Sequence, residues 1–358
     1  MKWRDRRLLD LFGIDHPILQ APMAGASSTQ MAIAVSQAGG LGSIAAAMLT
    51  PESLRTEMQI AEQGTARPIN VNFFVHTPPL DEPARAQAWR KRLEPYYREL
   101  GVPLDTASGG PARAPFNAEM CDVVLEHNPK VVSFHFGLPD AALLKRVKAA
   151  GIVVISSATT VQEARWLETN GCDAVIAQGS EAGGHRGMFL TDDITRQAGT
   201  LALVPQVVDA VKVPVIAAGG IGDGRGIVAA MALGAAGVQI GTAFLLAPEA
   251  KTVPLHRKAL EEANENSTTL TNIFTGRPAR GIVNRYVREV GPMSADPPAF
   301  PLAAVGSQPL RIAAEKKGSA EFMPLWSGQT PTFAREMPSA DLMARFIEET
   351  EVVLANLG

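Results

Sequence analysis

Short apolar runs of strand length recur along the chain, each closed by a Gly, Ser or Pro cluster and followed by helical spacing of apolar positions. Eight stand out: PILQA (17–21), LGSIAA (41–46), INVNFF (69–74), VVSFHF (131–136), VVISSA (153–158), AVIAQG (174–179), VPVIAAGG (213–220) and GVQIGTAF (237–244). Most are apolar on both faces, as expected of parallel strands covered outside by helices and inside by packed side chains. Helices are predicted between them at 139–150, 160–170 and 223–233. Residues 153–179 and 215–241 are similar 27-residue units running strand, helix, strand and ending in glycine. The rhythm predicts an α/β protein, a closed (β/α)8 TIM barrel. An open doubly wound sheet carries its glycine fingerprint after the first strand, whereas here glycines close several strands.

Two regions fall outside the eight units. Residues 77–116, ending in GGPARAP (109–115), read as a helical insertion after strand three. Residues 265–340, rich in Pro, Gly and Ser, contain FTGRPARG (274–281) and GPMSADPPAFP (291–301). Both regions are placed to cover one barrel mouth, and ADLMARFIEETEVVLANLG (340–358) has helical spacing suited to packing on the outside. The expected division is a barrel of residues 1–264, insertion included, and a C-terminal extension of residues 265–358.

Charge narrows the partner. With 33 Lys and Arg against 36 Asp and Glu among 358 residues, no field is present to recruit nucleic acid or an anionic membrane surface, so a small molecule is expected. The opening MKWRDRRLLDLFGIDHP has a short apolar run broken by Asp10 and Asp15, unlike a signal peptide, and no segment is long and apolar enough to span a bilayer. Cys121 and Cys172 are the only cysteines and form no framework, consistent with the cytoplasm. Monomer and homodimer both stay open.

Candidate chemistry concentrates where strands end, the rim at which such barrels bind ligands. QAPMAGASS (20–28) follows strand one; Asn70 and Asn72 share one side of strand three; His135 closes strand four; and Gln178 opens QGSEAGGHRG (178–187). GGIGDGRG (219–226) follows strand seven and QIGT (239–242) lies in strand eight. Backbone N–H groups in such a glycine turn, with a helix start behind them, suit a phosphate, although no Walker A Gly-Lys-Ser/Thr is present. His185, flanked by glycines at a strand end, suits proton transfer near neutral pH. No metal is expected, because His135 and His185 lack a matching carboxylate or thiol cluster. Ser180 is not in a nucleophile elbow and neither cysteine closes a strand, which points to chemistry carried by a bound cofactor.

QAPMAGASS, AGGLGSI, NVNFF, VVSFHFG, QGSEAGGHRG, VIAAGGI and QIGTAF occur in that order over about residues 10–340, and together the sequence resembles the nitronate monooxygenases, formerly 2-nitropropane dioxygenases: FMN enzymes with a TIM-barrel fold. An FMN-dependent enoyl-acyl-carrier-protein reductase is similar in EAGGH and VIAAGGI. VVSFHFGLP, the insertion and PLRIAAEKKGSAEFMPLWSGQ (309–329) favour the nitronate branch. One departure is Phe300-Pro301, where the family pattern suggests Tyr-Pro.

The resemblance implies oxidation of alkyl nitronates of the propionate 3-nitronate type by O2. Nitrite and an aldehyde or keto acid are released without nicotinamide, in a detoxifying role; the alternative is NAD(P)H-dependent reduction of an enoyl thioester. It implies His185 as catalytic acid or base over the flavin, with Pro22, Met23 and Ala24 along the isoalloxazine. Asn72 and Gln178 would hydrogen-bond the flavin or ribityl chain. Gly183, Gly219, Gly220 and the segment Gln239, Ile240, Gly241 and Thr242 would hold the phosphate. His135 would lie on the substrate side, and Lys316 or Lys317 would approach an anionic substrate end.

Overall fold

In the computed structural model, which describes residues 3–80, 82–106 and 114–357, the eight apolar runs are eight parallel strands. They are β1 (Ile18–Gln20), β2 (Gly42–Ala45), β3 (Ile69–Phe74), β4 (Val131–His135), β5 (Val153–Ala158), β6 (Ala174–Gln178), β7 (Val215–Ala218) and β8 (Gly237–Ile240). From β2 to β8 each pairs with its sequence neighbour, and β8 pairs with β1. A parallel bridge between Leu19 and Leu41 closes the cylinder, with Gln20 N donating to Leu41 O at 3.0 Å. Register levels the strand ends: Phe74 lies beside His135, Gln178 beside Ala218, Ala218 beside Gln239 and Ile240 beside Gln20. Side chains distant in sequence therefore share one rim.

The predicted helices are present at Ala141–Ala149, Val161–Thr169 and Gly224–Ala232. Their starts are written in the sequence as side-chain caps: Asp140 accepts from Ala142 N, Thr160 from Glu163 N and Asp223 from Gly226 N. Helix Thr29–Gln37 lies so close to β2 that a Cβ on Gly42 would sit 1.9 Å from Ala32 O, which explains the glycine in LGSI.

The insertion after β3 carries helix Pro83–Leu100, which packs against helix Ala303–Lys316 of the C-terminal extension. Residues 109–113 of its closing linker lie outside the described residues. Trp89, Leu93 and Tyr97 form a second apolar cluster with Ile273, Phe274 and Tyr286. Tyr97 Oη donates to Gly306 O at 2.7 Å and Trp89 Nε1 to Ala303 O at 3.2 Å, satisfying the polar tips that these rings bury. Closing helix Ser339–Leu357 packs on helices Gly224–Ala232 and Thr29–Gln37. Among the described residues, no helix is long and apolar enough to cross a membrane.

The extension also supplies two strands of a three-stranded antiparallel sheet, and the loop 178–187 supplies the third. Within that loop, Gly184–His185 form a two-residue strand against Ala279–Ile282, which pairs in turn with Thr268–Thr271. The loop has no strand-forming pattern of its own, and its partner stands about a quarter of the chain away. This sheet lays the extension over the barrel mouth.

Candidate active site

His185 is fixed from three sides. Its backbone pairs with Ala279, and Arg186 N donates to Pro278 O at 2.8 Å. Its carbonyl oxygen accepts from Gln178 Nε2 at 3.0 Å and from His135 Nε2 at 3.1 Å. Gln178 Oε1 accepts from Gly187 N at 2.7 Å, so both polar ends of Gln178 serve the loop.

The tautomer of His135 follows from its partners. A carbonyl can only accept, so Nε2 carries the proton and Nδ1 accepts from the Ser157 hydroxyl at 3.1 Å. His135, expected on the substrate side, has both ring nitrogens on protein groups, one of them the backbone of His185. Burial pushes the His135 pKa down to about 3, and burial likewise pushes His256, beneath the extension, down to about 4.

Both shifts are linked to stability. Each histidine is neutral in the fold but protonates in the unfolded chain below about pH 6.5, so the unfolded state binds the extra proton between pH 6.5 and the depressed value. Stability from these groups is therefore lost as pH falls through that window. Each is expected to cost about 2 kcal/mol between pH 6.5 and 5. Thermal melts should show Tm dropping over this range, with the drop reduced in His256→Asn; a variant curve parallel to the parent would refute the assignment.

The imidazole of His185 points among rings. Its Nε2 lies 2.9 Å from Thr275 Oγ1. Ring centroids of Phe300, Trp326, Phe74 and Phe136 lie 5.3, 5.5, 6.1 and 6.1 Å from its own. The departure noted at 300 thus falls on the nearest of these four rings to His185, where a phenyl ring offers no hydroxyl.

The glycines divide into two groups. Gly219 and Gly220 have φ of 118° and 70°, a backbone course that favours glycine, and they pack beside Ala182 and Glu181. A Cβ on Gly183 would lie 2.5 Å from Gly328 N, which itself donates to Thr242 Oγ1 at 2.9 Å. Gly241 approaches Ala21 and Met23, joining the turn Pro22–Ala24 to the end of β8. The structure thus brings Gly183, Gly219, Gly220, Gly241 and Thr242 to one rim. Gln239 Oε1 is buried there without a hydrogen-bond partner among the described residues. Asn72 lies in β3, its Nδ2 2.9 Å from Ser133 Oγ.

The other three glycines of GGIGDGRG are accounted for by packing, and the helix start behind them is capped by the protein's own side chains. Gly222 packs under Phe333, Gly224 meets the backbone of Glu349 and Thr350, and Gly226 lies against Ile221. Carboxylates already hold that helix N-terminus: Gly224 N donates to Glu349 Oε2 and Gly226 N to Asp223 Oδ1, each at 3.1 Å. Lys316 and Lys317 are also not gathered into the site. Lys316 is exposed in the last turn of helix Ala303–Lys316, ~20 Å along that helix from the end beside Phe300. Lys317 Nζ donates to Leu100 O at 3.3 Å.

Several residues that build the site were not singled out from sequence. Arg186 is fully buried beneath the loop and donates to Gly179 O, Gln178 O and Gln197 Oε1 at 2.7, 2.6 and 3.0 Å; burial pushes its pKa down to about 9. Thr275, Arg277, Trp326 and Gly328 all come from the extension. FTGRPARG was the available signal, but only the fold shows that it meets the histidine.

With this geometry in place, comparison with known proteins is informative. The family described as nitronate monooxygenase matches residues 5–349. A nitronate monooxygenase of Pseudomonas aeruginosa is 41% identical over 345 residues, covering 96% of this chain and 98% of that protein. Among solved structures, nitroalkane oxidase from Streptomyces ansochromogenes superposes with a TM-score of 0.89 at 40% identity, covering 98% of this chain and all of that one. FabK from Thermotoga maritima gives a TM-score of 0.75 at 29% identity, covering 98% of this chain and 97% of its own.

Proposed function

The chain belongs to the nitronate monooxygenase family, and from that premise we propose that it uses FMN and molecular oxygen to convert alkyl nitronates into nitrite and an aldehyde or keto acid. That it is an oxidoreductase follows from the family; FMN, oxygen, the products and substrates of the propionate 3-nitronate type are the proposal. Cys121 and Cys172 are buried and free, which suits the cytoplasm, and that location belongs to the same reading.

The residues present fit a flavin nucleotide. Gln239 Oε1 is a buried acceptor that a ring N–H or ribityl hydroxyl would satisfy. Gly219 and Gly220 let backbone approach a phosphate, and Gly183, Gly241 and Thr242 complete the same rim. Pro22, Met23 and Ala24 would line the ring system, with Asn72 beside it.

FMN when bound supplies two-electron chemistry that no side chain here provides. The chain's own task is to hold the substrate and handle a proton. His185 does the latter, oriented by Thr275 at its ring and by Gln178 and His135 at its backbone. Phe74, Phe136, Phe300 and Trp326 keep water from the imidazole. The tethering of His185 beside the glycine rim is the single observation that carries this reading.

Purified protein is expected to be yellow, to take up oxygen and release nitrite when given propionate 3-nitronate, and to keep its flavin oxidised under NADPH without oxygen. Bleaching by NADPH with no oxygen uptake on a nitronate would replace this reading with enoyl thioester reduction.

A further inference from the structure

We propose that Arg277 is the anion anchor of this site, its guanidinium taking the planar oxyanion of the substrate beside His185. The inference rests on the site being one that binds a nitronate. Arg277 follows two residues after Thr275, whose Oγ1 meets His185 Nε2, and stands just ahead of the strand Ala279–Ile282 that pairs with His185. Its Cζ lies 4.1 Å from the ring centroid of Phe136, and that ring lies 4.5 Å from His135 and 6.1 Å from His185.

Its charge is incompletely answered by the protein. Nη2 donates to Met188 O, yet among the described residues Nε is buried with no hydrogen-bond partner. Among the described residues, Asp192 and Glu163 act on Arg277 only through space. The neighbouring buried arginines differ. Arg186 commits donors from all three nitrogens, and Arg280 donates to Ser180 O at 2.8 Å and to Thr268 Oγ1 at 3.3 Å. Arg277 alone of these three leaves a buried donor unused, and a buried donor on a cation is costly until an anion completes it.

Phe136 reinforces the assignment. Its φ of 76° is a left-handed conformation rarely adopted by a bulky residue, and such strain persists only where the surroundings impose it. The strained residue places its ring under the guanidinium and against both histidines.

The chemistry of the ligand matches. A nitronate is planar and spreads one negative charge over two oxygens, as a carboxylate does, and the guanidinium fork suits that geometry where an ammonium does not. The oxyanion could be the nitronate head or the carboxylate end of propionate 3-nitronate. The two sources are separable.

The test uses flavin-loaded Arg277→Lys and Arg277→Met with ethyl nitronate and propionate 3-nitronate. It is paired with titrations of flavin absorbance by acetate and by neutral nitroethane. KM is expected to rise roughly 10- to 100-fold, the loss of a charge-assisted hydrogen bond, with kcat changing far less. Acetate should weaken in parallel while nitroethane does not. Loss with both nitronates assigns Arg277 to the nitronate head, and loss with propionate 3-nitronate alone assigns it to the carboxylate. Unchanged KM and acetate affinity, or equal weakening of acetate and nitroethane, overturns the proposal. If the parent protein oxidises no nitronate, the functional reading fails by itself, and the acetate titration still reports on Arg277.

Discussion

Replacing His185 with alanine is expected to lower turnover of a nitronate by roughly 10²- to 10⁴-fold, the usual contribution of a positioned acid or base, while flavin stays bound. The contacts that place residue 185 are mostly backbone ones. Its pairing with Ala279 and the two hydrogen bonds on its carbonyl oxygen need no imidazole and should survive. The glycine rim is built by Gly219, Gly220, Gly183 and Thr242, none of which leans on the ring. What disappears is the group facing Thr275 and four aromatic rings. The measurement is oxygen uptake by variant protein whose visible spectrum shows full flavin content. Unimpaired turnover would mean that the site carries flavin without using this histidine, and a colourless variant would mean that the ring itself supports the cofactor.

The barrel was legible because a parallel strand covered on both faces leaves a dense apolar run that only a few surroundings can accept. Its edges were less so. The run 213–220 yields a strand only at Val215–Ala218, since Pro214 offers no N–H and Gly219 turns into the left-handed region. The run 237–244 ends at Ile240, after which Thr242–Phe244 form a 3-10 turn. His185 was recognisable from its local glycines and its strand-end position.

Gln178 apart, its supports were not, because they are non-local. Thr275 meets it across 90 residues and His135 across 50, and no periodicity encodes such a meeting. The same limit explains the glycine turn after β7. Five glycines in eight residues read locally as one device, yet three of them answer to packing against Phe333, the Glu349 backbone and Ile221. Lys316 shows the same limit, since a charge near a motif does not reveal at which end of its helix it will stand.

The second large effect is expected from Glu163→Gln, a nearly isosteric change that removes one charge from the floor of this loop. Glu163 is fully buried in the first turn of helix Val161–Thr169. Its Oε2 accepts from Thr159 N and Oγ1, both at 2.7 Å, and its Oε1 accepts from Phe189 N and Leu190 N at 2.6 and 3.2 Å. A carboxylate meets four donors with two acceptor oxygens, but an amide has one. Whichever way the glutamine turns, its NH2 faces a backbone N–H, and a buried donor loses its partner. The cost of that loss with the charge-assisted bonds is roughly 2–4 kcal/mol, enough to lower Tm by about 3–5 °C in a chain of this length. A second consequence separates this from ordinary destabilisation. Glu163 is among the carboxylates whose field offsets the charges of buried Arg186 and partly buried Arg277, and Phe189 and Leu190 continue directly from the segment that carries His185. Activity measured well below the lowered Tm should therefore remain depressed, with KM for the nitronate raised. A variant that melts like the parent, or that regains full activity once cooled, would show that the loop holds its shape without this carboxylate.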